Sequence, residues 1–132
     1  MLSEEYIAGF FDGEGCVTIN TSTATHKSGN RYPSTVMVCV SQNDINILRL
    51  IQNRCGGKLL ANSTHKRHHI LQWYGNKAGS FLELVYPHLQ VKKKQAEVAL
   101  LFLKLKRGKP LSELNIAERQ KLKVEIDSLK RD

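Results

Sequence analysis

Tyr6-Ile7-Ala8-Gly9-Phe10-Phe11-Asp12-Gly13-Glu14-Gly15 is a run of small and bulky apolar residues that closes on two acids and two glycines. Ser3 stands ahead of it, where a side-chain oxygen can accept an otherwise unpaired amide, and Glu4 and Glu5 suit the positive end of a helix. A helix is therefore predicted over about residues 4–13, ended by Gly13-Glu14-Gly15. From Cys16 the period changes to two. Val17 and Ile19 fall on one side and Thr18, Asn20 and Ser22 on the other, as in a half-buried strand.

Gly9 and Gly13 lie four apart with Ala8 adjacent, so one face of this helix carries almost no side chain. A glycine inside a helix costs about 1 kcal/mol relative to alanine, which calls for a compensating close contact, either with the chain's own core or with a second copy. Glu14 stands where the helix dipole is negative, an unfavourable place for a carboxylate unless a cation offsets it. With the Gly13 carbonyl beside it, Glu14 offers hard oxygen ligands suited to Mg²⁺, against the alternative of an ordinary solvated glutamate at a turn. Asp12, two residues earlier, faces roughly the opposite side and is expected to play a structural role, bonding backbone near the helix end.

Working outward, a polar loop from Thr25 to Arg31 leads to a second strand over about 33–42, with Val36, Val38 and Val40 inward and Thr35, Met37 and Cys39 outward. Asn43 or Asp44 starts a helix whose Ile45, Leu48, Ile51 and Cys55 keep the 3.6-residue period until Gly56-Gly57. Strands at about 58–63 and 68–74 form a second hairpin around Thr64-His65-Lys66-Arg67, with Leu71 and Trp73 facing the core. Ala78 to Tyr86 reads as a short helix halted by Pro87, and Val91 to Lys106 as a longer one. A last helix is expected near Asn115, which has capping-box spacing to Glu118. The order αββαββα plus C-terminal helices is an α+β arrangement, with helices over one face of an antiparallel sheet and the other face open.

The 132 residues match a single domain, 1–132, and carry a net charge of +8. Residues 1–15 hold four acids and no Lys or Arg, which leaves +12 on the other 117 and points to a polyanionic partner. No apolar run is long enough to span a membrane and no basic signal opens the chain, so an intracellular protein without membrane partners is expected. Cys16, Cys39 and Cys55 are odd in number and lack C-x-x-C spacing; they read as reduced thiols. The cluster His65, His68, His69 and Cys55 fits no common zinc motif.

Aligned with Ile7 at its first position and Gly15 at its last, the opening run resembles the LAGLIDADG signature, followed as in that family by a strand. The order of the remaining elements is similar over nearly the whole chain, and one copy of the motif resembles the members that act as homodimers. The resemblance implies the homing-endonuclease fold and an intron-encoded, DNA-binding nuclease. Such an enzyme hydrolyses phosphodiesters in a long pseudo-palindromic site, cutting across the minor groove to leave 3′ overhangs. It implies Mg²⁺ as cofactor, with Mn²⁺ substituting and Ca²⁺ supporting binding without cleavage. It favours pairing through the first helix, with Ala8, Gly9, Asp12 and Gly13 in the dimer interface, and a second Glu14 near the first. Gln42 matches a polar residue that orders water around the scissile phosphate, and Lys92, in a run where Lys93 or Lys94 could serve instead, matches a basic residue that stabilises developing charge.

A two-stranded ribbon fits the major groove, so the open face is expected to read bases. By parity the candidates are Thr18, Asn20, Ser22 and Thr35 on the first hairpin and Asn62, Lys66, His68 and Gln72 on the second. His26, Lys27 and Arg31 in the first loop, and His65 and Arg67 in the second turn, are candidates for phosphate contact. The competing reading is an RNA-splicing maturase or a non-cleaving DNA-binding protein on the same fold, the only case in which RNA is a partner.

Overall fold

The computed structural model describes residues 2–25, 29, 31–60, 68–108 and 111–130. Its elements are α1 (Glu4–Glu14), β1 (Gly15–Thr25), β2 (Arg31–Gln42), α2 (Ile45–Cys55), β3 (Lys58–Leu60), β4 (His69–Tyr74), α3 (Gly75–Val85), a 3₁₀ turn (Tyr86–His88), α4 (Lys93–Gly108) and α5 (Glu113–Lys130). The four strands form one antiparallel sheet in the order β1-β2-β4-β3. This is the α+β arrangement expected from the alternation of periods.

Local chemistry accounts for the boundaries of the first half. Ser3 Oγ accepts from the Tyr6 amide at 3.1 Å and caps α1. Asp44, rather than Asn43, caps α2 through the Asn46 amide at 2.9 Å. After α2 the chain turns through Gly56 (φ 71°) and Gly57 (φ 101°), and a Cβ on Gly57 would lie 2.8 Å from the Trp73 ring. Trp73 can pack that closely because its Nε1 donates to the Cys55 carbonyl at 3.2 Å.

One face of the sheet is the core. Val17 and Ile19 of β1, Val36, Val38 and Val40 of β2, and Leu71 and Trp73 of β4 are buried, beneath Ile7, Ala8 and Phe11 of α1, Leu48 and Ile51 of α2, and Phe81 and Leu82 of α3. Phe81 stacks on Trp73 at 4.0 Å and meets the edge of Phe11 at 5.3 Å, which joins α1 and α3 to the sheet. Each such side chain contributes about 1.5–3 kcal/mol by leaving water. Arg54 ties α2 back to the start of α1, donating to the Leu2 carbonyl at 2.6 Å and to Glu4 at 3.2 Å.

The second half departs from the sequence reading in three places. Helix α3 starts at Gly75, not Ala78, with Pro87 falling in the 3₁₀ turn rather than ending the helix outright. The lysine run opens α4 only at Lys93, because the segment 90–92 is held to α1. Asn115 does not cap α5: Ser112 does, its Oγ accepting from the Asn115 amide at 3.1 Å, and Asn115 is buried in the first turn. Helix α5 packs against both β1 and β2, and its Lys123 Nζ donates to the Ile19 carbonyl of β1 at 2.9 Å. Arg119 of the same helix is buried and donates to the Pro33 carbonyl at 3.1 Å.

Candidate active site

Helix α1 runs directly into β1, so its C-terminus stands at one end of the sheet. The Gly15 amide donates to the Phe11 carbonyl, and a Cβ at Gly15 would lie 2.2 Å from the Phe11 ring, so this close turn requires glycine. The next carbonyl, that of Asp12, accepts from Lys92 Nζ at 2.6 Å. A positive charge thus complements the helix end. Gly13 and Glu14 are exposed, and among the described residues no side chain pairs with the Glu14 carboxylate.

Asp12 acts over a long distance in sequence. Its Oδ2 accepts from the Gln90 amide at 2.8 Å, and its Oδ1 accepts from the amides of Val91 at 3.2 Å and Lys92 at 3.0 Å. The structural role expected of Asp12, bonding backbone near the helix end, is what the carboxylate performs, and the three successive amides that it gathers come from a segment about eighty residues away. It faces its own chain. The Lys92 side chain is carried to the end of α1, whereas Lys93 lies over the Tyr86 ring at 5.1 Å. A cleft beside this end is lined by Gly15, Cys16, Val91, Lys92, Gln95, Leu129 and Lys130.

The small-residue face divides in two. Ala8, expected at a helix contact with a partner, is 0% exposed inside the chain's own core and is not available to one. Gly9 and Gly13 are exposed, and a Cβ at either would meet nothing within 4 Å. Packing among the described residues does not account for them.

Gln42 ends β2, two residues past the Val40 that pairs with Gly15, and so lies at the same end of the sheet as Glu14. Its Oε1 accepts from the Asn43 amide at 2.8 Å, a local bond at the start of the next helix. On the open face the register forms rows. Asn20 faces Thr35; Thr18 faces Met37 and then Tyr74; Cys16 faces Cys39, then Gln72, then Lys58; Ser41 faces Ile70 and then Leu60. Thr18, Asn20, Thr35 and Gln72 thus lie where parity put them, His68 is exposed just before β4, and Arg31 is exposed at the start of β2. Ser22 is in β1, half-buried. His26, Lys27, Asn62, His65, Lys66 and Arg67 lie outside the described residues.

Two features were missed by the sequence reading. Lys130, the last residue of α5, reaches the open face and donates to Thr18 Oγ1 at 2.9 Å. Cys16 and Cys39 stand directly opposite each other across β1 and β2. The Cys39 thiol hydrogen-bonds the Cys16 sulfur and lowers the Cys16 pKa to about 5, opposed by burial and helped by Thr18 and Lys130. The same bond holds Cys39 protonated, its pKa pushed far up. No local pattern in the sequence pairs these positions.

The arrangement is one of hard oxygens and ammonium groups at a helix end, opening onto a sheet face. Among the described residues no group of three or more His, Cys, Asp or Glu could hold a metal ion within one chain. One exposed carboxylate with a neighbouring carbonyl does fit Mg²⁺, which keeps several waters and takes other ligands from substrate phosphates. No described helix is long and apolar enough to cross a membrane.

The family model for LAGLIDADG endonucleases matches residues 7–107, and this chain belongs to that family. Solved structures with the same fold include the homing endonuclease I-CvuI in complex with the I-CreI target (TM-score 0.81, 22% identity, 96% of this chain and 80% of that one). The archaeal intron-encoded I-Vdi141I in complex with DNA is similar (TM-score 0.79, 19% identity, 96% and 82%). So is the homing endonuclease I-TnaI (TM-score 0.76, 23% identity, 98% and 95%). No curated protein matches the chain by sequence. Membership of the family implies a DNA endonuclease.

Proposed function

We propose that this chain acts as a homodimer that cleaves both strands of one long, pseudo-palindromic DNA site in the presence of Mg²⁺, the 132 residues forming a single endonuclease domain. The observation that carries the reading is the end of α1. There an exposed Glu14, the Lys92 ammonium and two exposed glycines, with no described atom near their missing Cβ positions, lie along the last one and a half turns of the helix. A second α1 laid against Gly9 and Gly13 about a twofold axis brings the two Glu14 carboxylates side by side, which supplies the acid that one chain lacks.

In that dimer Glu14, with the Gly13 carbonyl, would hold the metal ion at the scissile phosphate. When bound, Mg²⁺ lowers the pKa of water and offsets charge on the phosphate oxygens. The chain's own groups do the rest. Asp12 fixes the 90–92 backbone, which sets Lys92 at the helix end to stabilise charge that develops on the phosphate. Gln42 lies at the same end of the sheet and orders water from its amide. The open face, with Thr18, Asn20, Ser22, Thr35, His68 and Gln72, lies in the major groove, and Arg31 contacts phosphate at its rim.

The test is a cleavage selection on a randomised DNA library in Mg²⁺, with Ca²⁺ as the non-cleaving control. One enriched site with twofold-related halves, cut in both strands only with Mg²⁺, supports the reading. Binding without cleavage would favour a DNA-binding protein on this fold, and retention of RNA instead would favour a maturase.

A further inference from the structure

The open sheet face is not uniformly polar. Its parity set contains Met37, Ile70, Tyr74 and Leu60, none of which serves the core side of the sheet, and Tyr74 and Leu60 are 48% and 37% exposed. The register sorts them into two rows. Met37 and Tyr74 are direct partners on β2 and β4, and Ile70 and Leu60 are direct partners on β4 and β3. Between them runs the row Cys16, Cys39, Gln72 and Lys58, with a hydrogen-bonding amide and a cation at its far end. Exposed apolar side chains on a solvated face cost solubility unless something apolar meets them.

The surroundings identify what meets them. Lys58 shares the face, Lys130 reaches it, and Arg31 is exposed at the start of β2, so the apolar rows are set among cations. That combination matches the floor of a DNA major groove, which is flanked by phosphates and whose one apolar group is the thymine C5 methyl. We infer that the two apolar rows read thymine methyl groups, so that each half-site carries two thymine-bearing positions separated by a segment read by Gln72 and Lys58. The inference rests on the endonuclease reading above and adds to it the chemistry of the preferred bases.

Spacing follows from the strands. Ile70 and Tyr74 are four residues apart on β4, about 13 Å at strand rise, which spans about three to four base-pair steps. Twofold symmetry repeats the pattern in the other half-site. Burial of one methyl group corresponds to about a fourfold change in affinity.

The experiment uses the whole protein and two randomised duplex libraries, one with thymidine and an otherwise identical one with deoxyuridine, with binding selected in Ca²⁺. Sites enriched from the thymidine library should carry thymine at the two spaced positions in each half. Replacing those thymines one at a time with deoxyuridine should weaken binding about fourfold each while leaving base pairing unchanged. Leu60→Ser and Met37→Ser should each abolish the thymine-over-uracil preference at one of the two positions, whereas Leu114→Ser on exposed α5 should change neither. Enriched sites that bind equally well with thymidine and deoxyuridine would overturn the inference and leave the endonuclease reading standing. No enrichment from either library would overturn both.

Discussion

Asp12 has a role that its neighbours in sequence do not reveal. Its carboxylate accepts three amides at 2.8 to 3.2 Å, and charge-assisted hydrogen bonds of this kind are worth more than neutral ones. Asp12→Ala should therefore lower stability by about 2 kcal/mol in urea unfolding. It should also lower cleavage by more than the stability loss accounts for, because Lys92 is no longer held; Asp12→Asn should recover part of both. Equal cleavage by Asp12→Ala would remove Lys92 from the account. Cys16 yields a second prediction at this scale. Its folded pKa is depressed while the same bond raises that of Cys39, so the bond stabilises the fold most near the ordinary thiol value of 9.0 and loses that contribution as pH falls through about 5. Alkylation of Cys16 in metal-free buffer should accordingly follow a midpoint near 5, and Cys39→Val should move it back toward the ordinary thiol value.

Among the elements, α1 separates two kinds of glycine. At Gly15 a Cβ would strike the Phe11 ring and carbonyl, so Gly15→Ala should destabilise the chain itself, visible as a lower melting temperature. At Gly9 the space is open among the described residues. Gly9→Leu should therefore leave a folded monomer by circular dichroism and lose the dimer in sedimentation; an intact dimer would refute pairing through this face. The elements also mark where sequence reading succeeds. Helix α1, its Ser3 cap and the inward parity of Val17, Ile19, Leu71 and Trp73 follow from local periods alone. The start of α5 was misplaced because Asn115 and Glu118 imitate a capping box, while the working cap, Ser112, lies three residues earlier. That Lys58 falls in a row with Gln72 is set by the register of β3 on β4, which no local period gives.

For the whole molecule, charge and topology combine. A net charge of +8, with four acids and no Lys or Arg in the first fifteen residues, leaves the remainder strongly basic. DNA affinity should fall steeply with salt, linearly in log–log form, with a slope set by the number of phosphates contacted. A flat response would point to a partner other than nucleic acid. The candidate site itself was half legible. Glu14 and Lys92 are proposed from the motif and the lysine run, yet nothing local shows that Asp12 joins them across eighty residues, or that Lys130 arrives from the last helix. Those are properties of the folded topology.

The most direct test compares the protein with Glu14→Gln on the selected DNA site, measuring binding and Mg²⁺-dependent cleavage side by side. Glutamine keeps the size of the side chain and removes the charge at the helix end, so binding should stay within about threefold while cleavage is lost. Cleavage by Glu14→Gln at a rate near that of the unaltered chain would contradict the account.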